Sequence, residues 1–191
     1  VHILPKMSMM ESTLNIMRVG IGPSSSYSTA PMTSAFHFVE ELKKKHLFDQ
    51  VSKVNVKLHG SLSTIGRVRM TNRSVLLGLS GSLPETVDID SSPEIIEAIQ
   101  QTGKIKLGGT REVELKPQKD IIHLDQQING KSGITFEAYG KSTPDKLYSH
   151  TYYKTHGGVV TDDANYRYPF DLQGECPYPF SNATGLLNIC K

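Results

Sequence analysis

The chain has 191 residues, of which 37% are hydrophobic and 21% charged, a composition that excludes an intrinsically disordered protein. Lysine and arginine number 21 against 19 acidic residues, and this net charge of +2 excludes the basic stripe of a dedicated nucleic-acid-binding protein. No apolar run approaches the roughly 18–20 residues that a transmembrane helix needs, so no membrane span is expected.

The first strong helical signal follows a glycine- and serine-rich loop. Apolar side chains recur at three- and four-residue spacing over residues 31–45, which predicts a helix that begins near a proline. Its expected inner face carries Phe36, Val39, Leu42 and His46.

The later elements change from helical to strand periodicity. One strand and two helices are expected first, and then four short strands separated by turn signals. In chain order these seven elements are predicted at 52–58, 72–79, 93–101, 111–116, 121–124, 134–139 and 147–154.

These elements predict an α/β (α+β) domain over residues 1–160. Its sheet, over 50–160, should be mostly antiparallel with helices on one face. The side chains expected on the helix-covered side are Ile134, Phe136, Ala138 and Leu147.

Residues 161–191 lack periodicity and are rich in proline and aromatic side chains, which predicts an extended linker or arm with a short helix at 182–189. We expect residues 162–191 to make little contact with the core and to reach a protein partner. Tyr166, Phe170 and Phe180 are the expected contact residues, because aromatic side chains are enriched at interfaces.

The cysteine and histidine content argues against a metal centre in this chain. Cys176 and Cys190 are too few for a disulfide scaffold and fall short of the roughly four thiolates that usually hold an iron–sulfur cluster. The seven histidines show no metal-ligand spacing. An intracellular protein is expected, either cytoplasmic or, if the N-terminus is processed, in the mitochondrial matrix.

Two features could recognise an anion. Ser24, Ser25 and Ser26 lie just before a predicted helix, where hydroxyls and backbone N–H groups can bind a carboxylate or phosphate, although an ordinary cap and turn would use the same residues. Arg69 could pair with a carboxylate of a ligand or a partner chain, or lie solvated at the surface.

Several short motifs recur in a recognisable order. They read G-I-G-P-S-S-S at 20–26, G-S-L-S at 60–63, P-E-T-V-D-I-D at 84–90, T-Y-Y at 151–153 and P-Y-P-F at 177–180. In this order and spacing the chain resembles the N-terminal beta domain of the iron–sulfur-dependent L-serine dehydratase family.

The resemblance implies a fold like the allosteric substrate-binding domain of phosphoglycerate dehydrogenases, covering the active site of a separate catalytic domain. In that family the separate domain holds a 4Fe-4S cluster and converts L-serine to pyruvate and ammonia, so this chain is expected to hold no cofactor. A histidine in the family's G-K-G-H-x-T-D segment acts near the substrate.

This chain departs from the family pattern where that chemistry would lie. Arg69 occupies the histidine position and Asn72 the aspartate position, whereas Thr71 is retained. Tyr27 stands where the serine loop of the family has a histidine, which makes it a further candidate for anion or substrate binding. A guanidinium stays protonated and cannot act as a general base, so no catalytic group is expected to remain.

Three interpretations follow. The first is a non-catalytic domain that serves as a structural or interaction subunit of a larger assembly. The second is the beta portion of a working L-serine dehydratase whose iron–sulfur domain is absent from this chain. The third is a small-molecule sensing domain that kept a pocket for serine and lost the reaction. We expect the first.

Overall fold

The computed structural model describes residues 19–141, 145–155, 160–163, 167–168, 178 and 182–190. The chain divides into two units, Arg18–Phe170 and a second unit formed by Val1–Met17 and Asp171–Lys191. Within the described part of the chain, no helix is both long and apolar enough to cross a membrane.

Helices of the first unit begin with a π-helical turn, Ser25–Thr29, that continues into the longest helix. Proline lies in the first turn of that helix and two lysines in its last, where their charges suit the helix dipole. A single 3₁₀ turn, Phe48–Gln50, leads into the sheet. The α-helices are α1 Ala30–Lys44, α2 Ser61–Thr64, α3 Thr71–Leu79, α4 Ser92–Thr102 and α5 Pro117–Asp120.

Eight strands form one sheet. They are β1 Val51–His59, β2 Lys104–Leu107, β3 Arg111–Glu114, β4 Ile121–Leu124, β5 Gly133–Gly140, β6 Lys146–Lys154, β7 Val160–Thr161 and β8 Arg167–Tyr168. Their order is β2-β3-β1-β5-β6-β7-β8, and β4 pairs with the later residues of β1, Val56 to His59. The central strand β1 runs parallel to β3 and β4 and antiparallel to β5, and the remaining pairs are antiparallel. The predicted mixed fold with a mostly antiparallel sheet is confirmed.

The core lies between the helices and the apolar face of the sheet. In the β1–β5 register Val56 pairs with Phe136, and both side chains are fully buried. Ile134 and Ala138 are buried as predicted, whereas Leu147 is only partly buried against the core. Helix α1 packs on β5 and β6, and α3 and α4 pack on β2.

The inner face of α1 matches the predicted one at Val39 and Leu42, which are buried, but differs at its two ends. Phe38, not Phe36, is fully buried, since Phe38 shares a helical face with the buried Leu42 and Phe36 does not. His46 is exposed and has a φ of 56°, because α1 ends at Lys44 and the chain turns away there.

The tail is described only in part. β8 pairs with β7 at the edge of the sheet, and the second unit contains one described helix, α6 Ala183–Ile189, which confirms the helix predicted at 182–189. Asn182 caps α6 by accepting the N–H of Gly185 at 2.8 Å. The expectation that residues 162–191 make little contact with the core is wrong for Asp162, which is buried, and for β8, which joins the sheet. Tyr166, Phe170 and Phe180 lie outside the described residues, so the partner-contacting arm and the boundary at residue 160 stay predictions.

Candidate functional site

The serine loop turns directly into the helical core. The backbone carbonyl of Ser24 accepts the N–H of Ser28 at 2.7 Å and its hydroxyl at 2.5 Å, whereas the Ser24 side chain makes no capping hydrogen bond. Ser25 is exposed and Ser26 is half-buried, and neither side chain forms a hydrogen bond with the described part of the chain. Both hydroxyls are therefore available at the surface.

Tyr27 is the point where four segments of the chain meet. The Nζ of Lys154, at the end of β6, lies 4.4 Å from the centre of the Tyr27 ring. A hydrogen bond with Ser61 at the start of α2, together with the positive charges of Lys154 and Arg69, lowers the pKa of the Tyr27 hydroxyl against the opposing effect of burial. Arg69 and the motif that contains Ser61 were both identified from the sequence, whereas Lys154 was not.

The loop that carries Arg69 is held tightly between α2 and α3. Thr71 is fully buried and its hydroxyl donates to the backbone carbonyl of Tyr27 at 2.6 Å. A Cβ on Gly66 would lie 2.0 Å from the carbonyl oxygen of Leu62, so the loop can pass α2 only with a glycine there. Arg69 itself is exposed at the tip of this loop.

Asn72 faces a different set of residues. Its amide nitrogen lies 3.4 Å from Nε2 of His123, and Nδ1 of His123 lies 3.3 Å from the carbonyl oxygen of Ser63. A carbonyl can only accept, so Nδ1 carries the proton and Nε2 accepts from Asn72. Burial is the main cause that lowers the pKa of His123, with the charge of Arg67 adding to it, which keeps the ring neutral.

The three family positions 69, 71 and 72 therefore belong to two different groups of contacts in the structure. Arg69 and Thr71 contact or influence Tyr27, whereas Asn72 belongs to the His123 group. Neither Lys154 nor His123 was predicted from the sequence as part of a site. The only signal for His123 was a polar residue inside the apolar strand β4, and Lys154 showed none.

The residues do not fit the iron–sulfur cluster that the resemblance places in the family. The sequence has two cysteines against the roughly four thiolates of such a cluster. Cys190 is exposed, and Cys176 lies outside the described residues. In the described ranges no group of three or more histidine, cysteine or acidic side chains is arranged to hold a metal ion.

Replacing Thr71 by valine should lower the free energy of unfolding by about 1–2 kcal/mol, because a buried hydrogen bond to Tyr27 is lost at nearly constant volume. Thr71→Ser is the matched control, since it keeps the hydroxyl. Urea unfolding measures both variants against the unmodified protein, and a Thr71→Val variant as stable as the unmodified protein would show that the bond contributes nothing.

Comparison with known proteins places these residues inside a family match. Residues 12–165 match the family model described as "Serine dehydratase beta chain". The chain is 35% identical over 185 residues to "L-serine dehydratase 2" of Escherichia coli, a match that covers 95% of this chain and 40% of that protein. It is 33% identical over 184 residues to "L-serine dehydratase" of Haemophilus influenzae, with the same two coverages.

A third relative, "L-serine dehydratase" of Streptomyces coelicolor, is 36% identical over 154 residues, which is 80% of this chain and 34% of that protein. The chain thus spans about 40% or less of the length of these curated relatives. The residues of the Tyr27 site all lie within the range that the family model covers.

Proposed function

This chain belongs to the serine dehydratase beta chain family, and we propose that it is a non-catalytic beta domain that acts as a structural or interaction subunit of a larger assembly. The family membership rests on the match over residues 12–165. The loss of catalysis is our inference from the residues around Tyr27.

The observation that carries the proposal is the position of Arg69. Deamination of serine requires a group that accepts the α-proton, and the family's histidine position holds a guanidinium here, which stays protonated at neutral pH. Tyr27 is the nearest titratable alternative. Although its pKa is lowered, an ordinary phenol has a pKa near 10 and is a poor base at neutral pH.

Asn72 supports the same conclusion. An aspartate at this position would place a carboxylate beside Nε2 of His123 and favour the protonated ring, because an opposite charge at short range stabilises the imidazolium. The asparagine amide instead donates to the neutral ring. A negative charge that the family motif supplies is therefore missing from this chain.

The experiment is an anaerobic assay of pyruvate release from L-serine, with iron and sulfide reconstitution, on the natural assembly that contains this chain. We expect no turnover above the protein-free control. Turnover by the unmodified assembly would overturn the proposal. The double variant Arg69→His with Asn72→Asp restores the family residues, and activity in this variant alone would assign the loss to these two positions.

The second candidate is the beta portion of a working L-serine dehydratase. It is favoured by the 35% identity to a protein of that name over 95% of this chain. The same assay decides between the two, because this candidate requires turnover without any substitution. A serine-sensing role would instead appear as a rise in melting temperature with L-serine and no pyruvate, since a ligand of the native state stabilises it. Partner chains and cellular location stay predictions.

A further inference from the structure

Two cations lie beside Tyr27 without an acidic partner. In the described part of the chain neither Arg69 nor Lys154 forms an ion pair with a carboxylate. The Nζ of Lys154 lies 4.4 Å from the centre of the Tyr27 ring, and Arg69 comes two residues before Thr71, whose hydroxyl donates to the Tyr27 carbonyl at 2.6 Å. Two positive charges close together repel each other, and a bound anion would relieve this repulsion.

Three other lysines of the sheet have acidic partners. Lys57 and Lys146 both bind Glu137 at 2.8 Å, and Lys53 binds Asp120 at 2.9 Å. Among the described residues Lys154 has no acidic partner, and its Nζ lies 4.4 Å from the centre of the Tyr27 ring. The end of β6 is therefore a place where this fold leaves a positive charge open to a ligand.

Neutral donors surround the same place. The hydroxyls of Ser25 and Ser26 precede Tyr27 and are not engaged by described residues. Ser61, at the start of α2, donates its backbone N–H at 3.0 Å and its hydroxyl at 2.9 Å to Ser132, so its own oxygen is left as an acceptor. Hydroxyls and cations of this kind bind oxyanions through charge-assisted hydrogen bonds.

We infer that Arg69, Lys154 and the hydroxyls around Tyr27 form a binding site for a small dianion, a dicarboxylate or a phosphate. L-Serine is a poor ligand for this arrangement, because its ammonium group would meet the positive charges of Arg69 and Lys154. This anion site is the site of the proposed function. It rests on that proposal in one respect, which is that a site without catalysis can hold a ligand other than serine.

Calorimetric titration of the full protein with succinate, inorganic phosphate and L-serine, at matched ionic strength, tests the site. We expect succinate or phosphate to bind with a Kd of about 1 mM or below, and L-serine to bind at least about tenfold more weakly. The two anions are separate arms, which distinguish a dicarboxylate from a phosphate site. Absence of binding by both, up to about 10 mM, would overturn the inference.

Variants assign the binding to the named cations. Arg69→Gln and Lys154→Gln should each weaken binding about tenfold or more, because each removes a charged donor. The matched controls are Arg67→Gln, in the same loop, and Lys131→Gln, whose Nζ lies 5.3 Å from the Tyr153 ring. Binding that the first pair leaves unchanged, or that the controls weaken equally, would contradict the site.

The pKa of Tyr27 can be measured in protein that keeps both Arg69 and Lys154, so this test does not depend on how the charge variants fold. A bound dianion offsets the charges of Lys154 and Arg69, so it should raise the pKa of the Tyr27 hydroxyl. Ultraviolet titration of the phenolate, with Tyr27→Phe subtracted, measures this shift. A pKa that phosphate and succinate both leave unchanged would count against the site, whereas the outcome of the pyruvate assay would not affect it.

Discussion

Replacing Phe38 by alanine is expected to lower the free energy of unfolding by about 3–5 kcal/mol, the range for a large aromatic side chain removed from a packed core. Phe38 is fully buried and stacks on Phe136 with ring centres 5.1 Å apart, and on Tyr148 at 5.8 Å. Its removal leaves a cavity where α1 meets β5 and β6.

Phe36 is the matched control, because it is the same residue type two positions earlier on the same helix. It is only half-buried, so Phe36→Ala should cost about 1–2 kcal/mol. Urea unfolding of both variants gives the comparison. A larger loss for Phe36→Ala would mean that α1 presents the face predicted from its spacing and not the face in the structure.

Replacing Glu137 by glutamine is expected to lower the free energy of unfolding by about 2–3 kcal/mol, because hydrogen bonds to a buried charge are lost and two lysines keep no counter-charge. The Glu137 carboxylate accepts from Lys57 and Lys146 at 2.8 Å each, and from the hydroxyl of Tyr139 at 2.9 Å. The side chain is 3% exposed, although it lies on the sheet face opposite the helices.

Glu112 provides the matched control for this substitution. It pairs with Lys104 at 2.6 Å, but both side chains are more than half exposed, so Glu112→Gln should cost at most about 0.5 kcal/mol. Equal losses for the two glutamines would show that burial does not strengthen the Glu137 cluster.

The same carboxylate predicts how stability depends on pH. Burial alone would raise the pKa of Glu137, but hydrogen bonds from Lys146, Lys57 and Tyr139 outweigh it and lower the pKa from 4.5 to about 2. The folded protein therefore binds this proton less readily than the unfolded chain. The stabilisation of the folded protein by the ionised Glu137 is fully present above about pH 4.5 and is lost as the pH falls towards about 2. Glu137→Gln should flatten the unfolding free energy over this window.

Elements with strong local periodicity were predictable from the sequence. The alternation at 134–139 predicted both the strand and the burial of Phe136, because side chains of a strand point to opposite faces whatever the strand pairs with. The helix ending at Gly103 was predictable for a similar reason, since its φ of 66° is a conformation that glycine adopts freely. The family motifs were also visible as short linear segments.

Short elements were predictable only in part. The four-residue strands β3 and β4 were predicted, whereas β2, Lys104–Leu107, was missed because its brief alternation resembles that of a loop. The parallel pairing of β1 with β3 and β4 is likewise invisible locally, because it joins strands that are far apart in sequence. In α1 the spacing admitted more than one apolar face, and only the position of the sheet selects Phe38 over Phe36.

By itself the sequence determined the fold class, the family and the replacement of its histidine by Arg69, because each of these is a property of residue type and order. Tertiary structure alone decided what those residues meet. It brings Lys154 across the ring of Tyr27, turns Asn72 towards His123, and buries Glu137 under two lysines. These contacts join segments up to about 130 residues apart, whose proximity depends on strand register and helix packing and not on any local pattern.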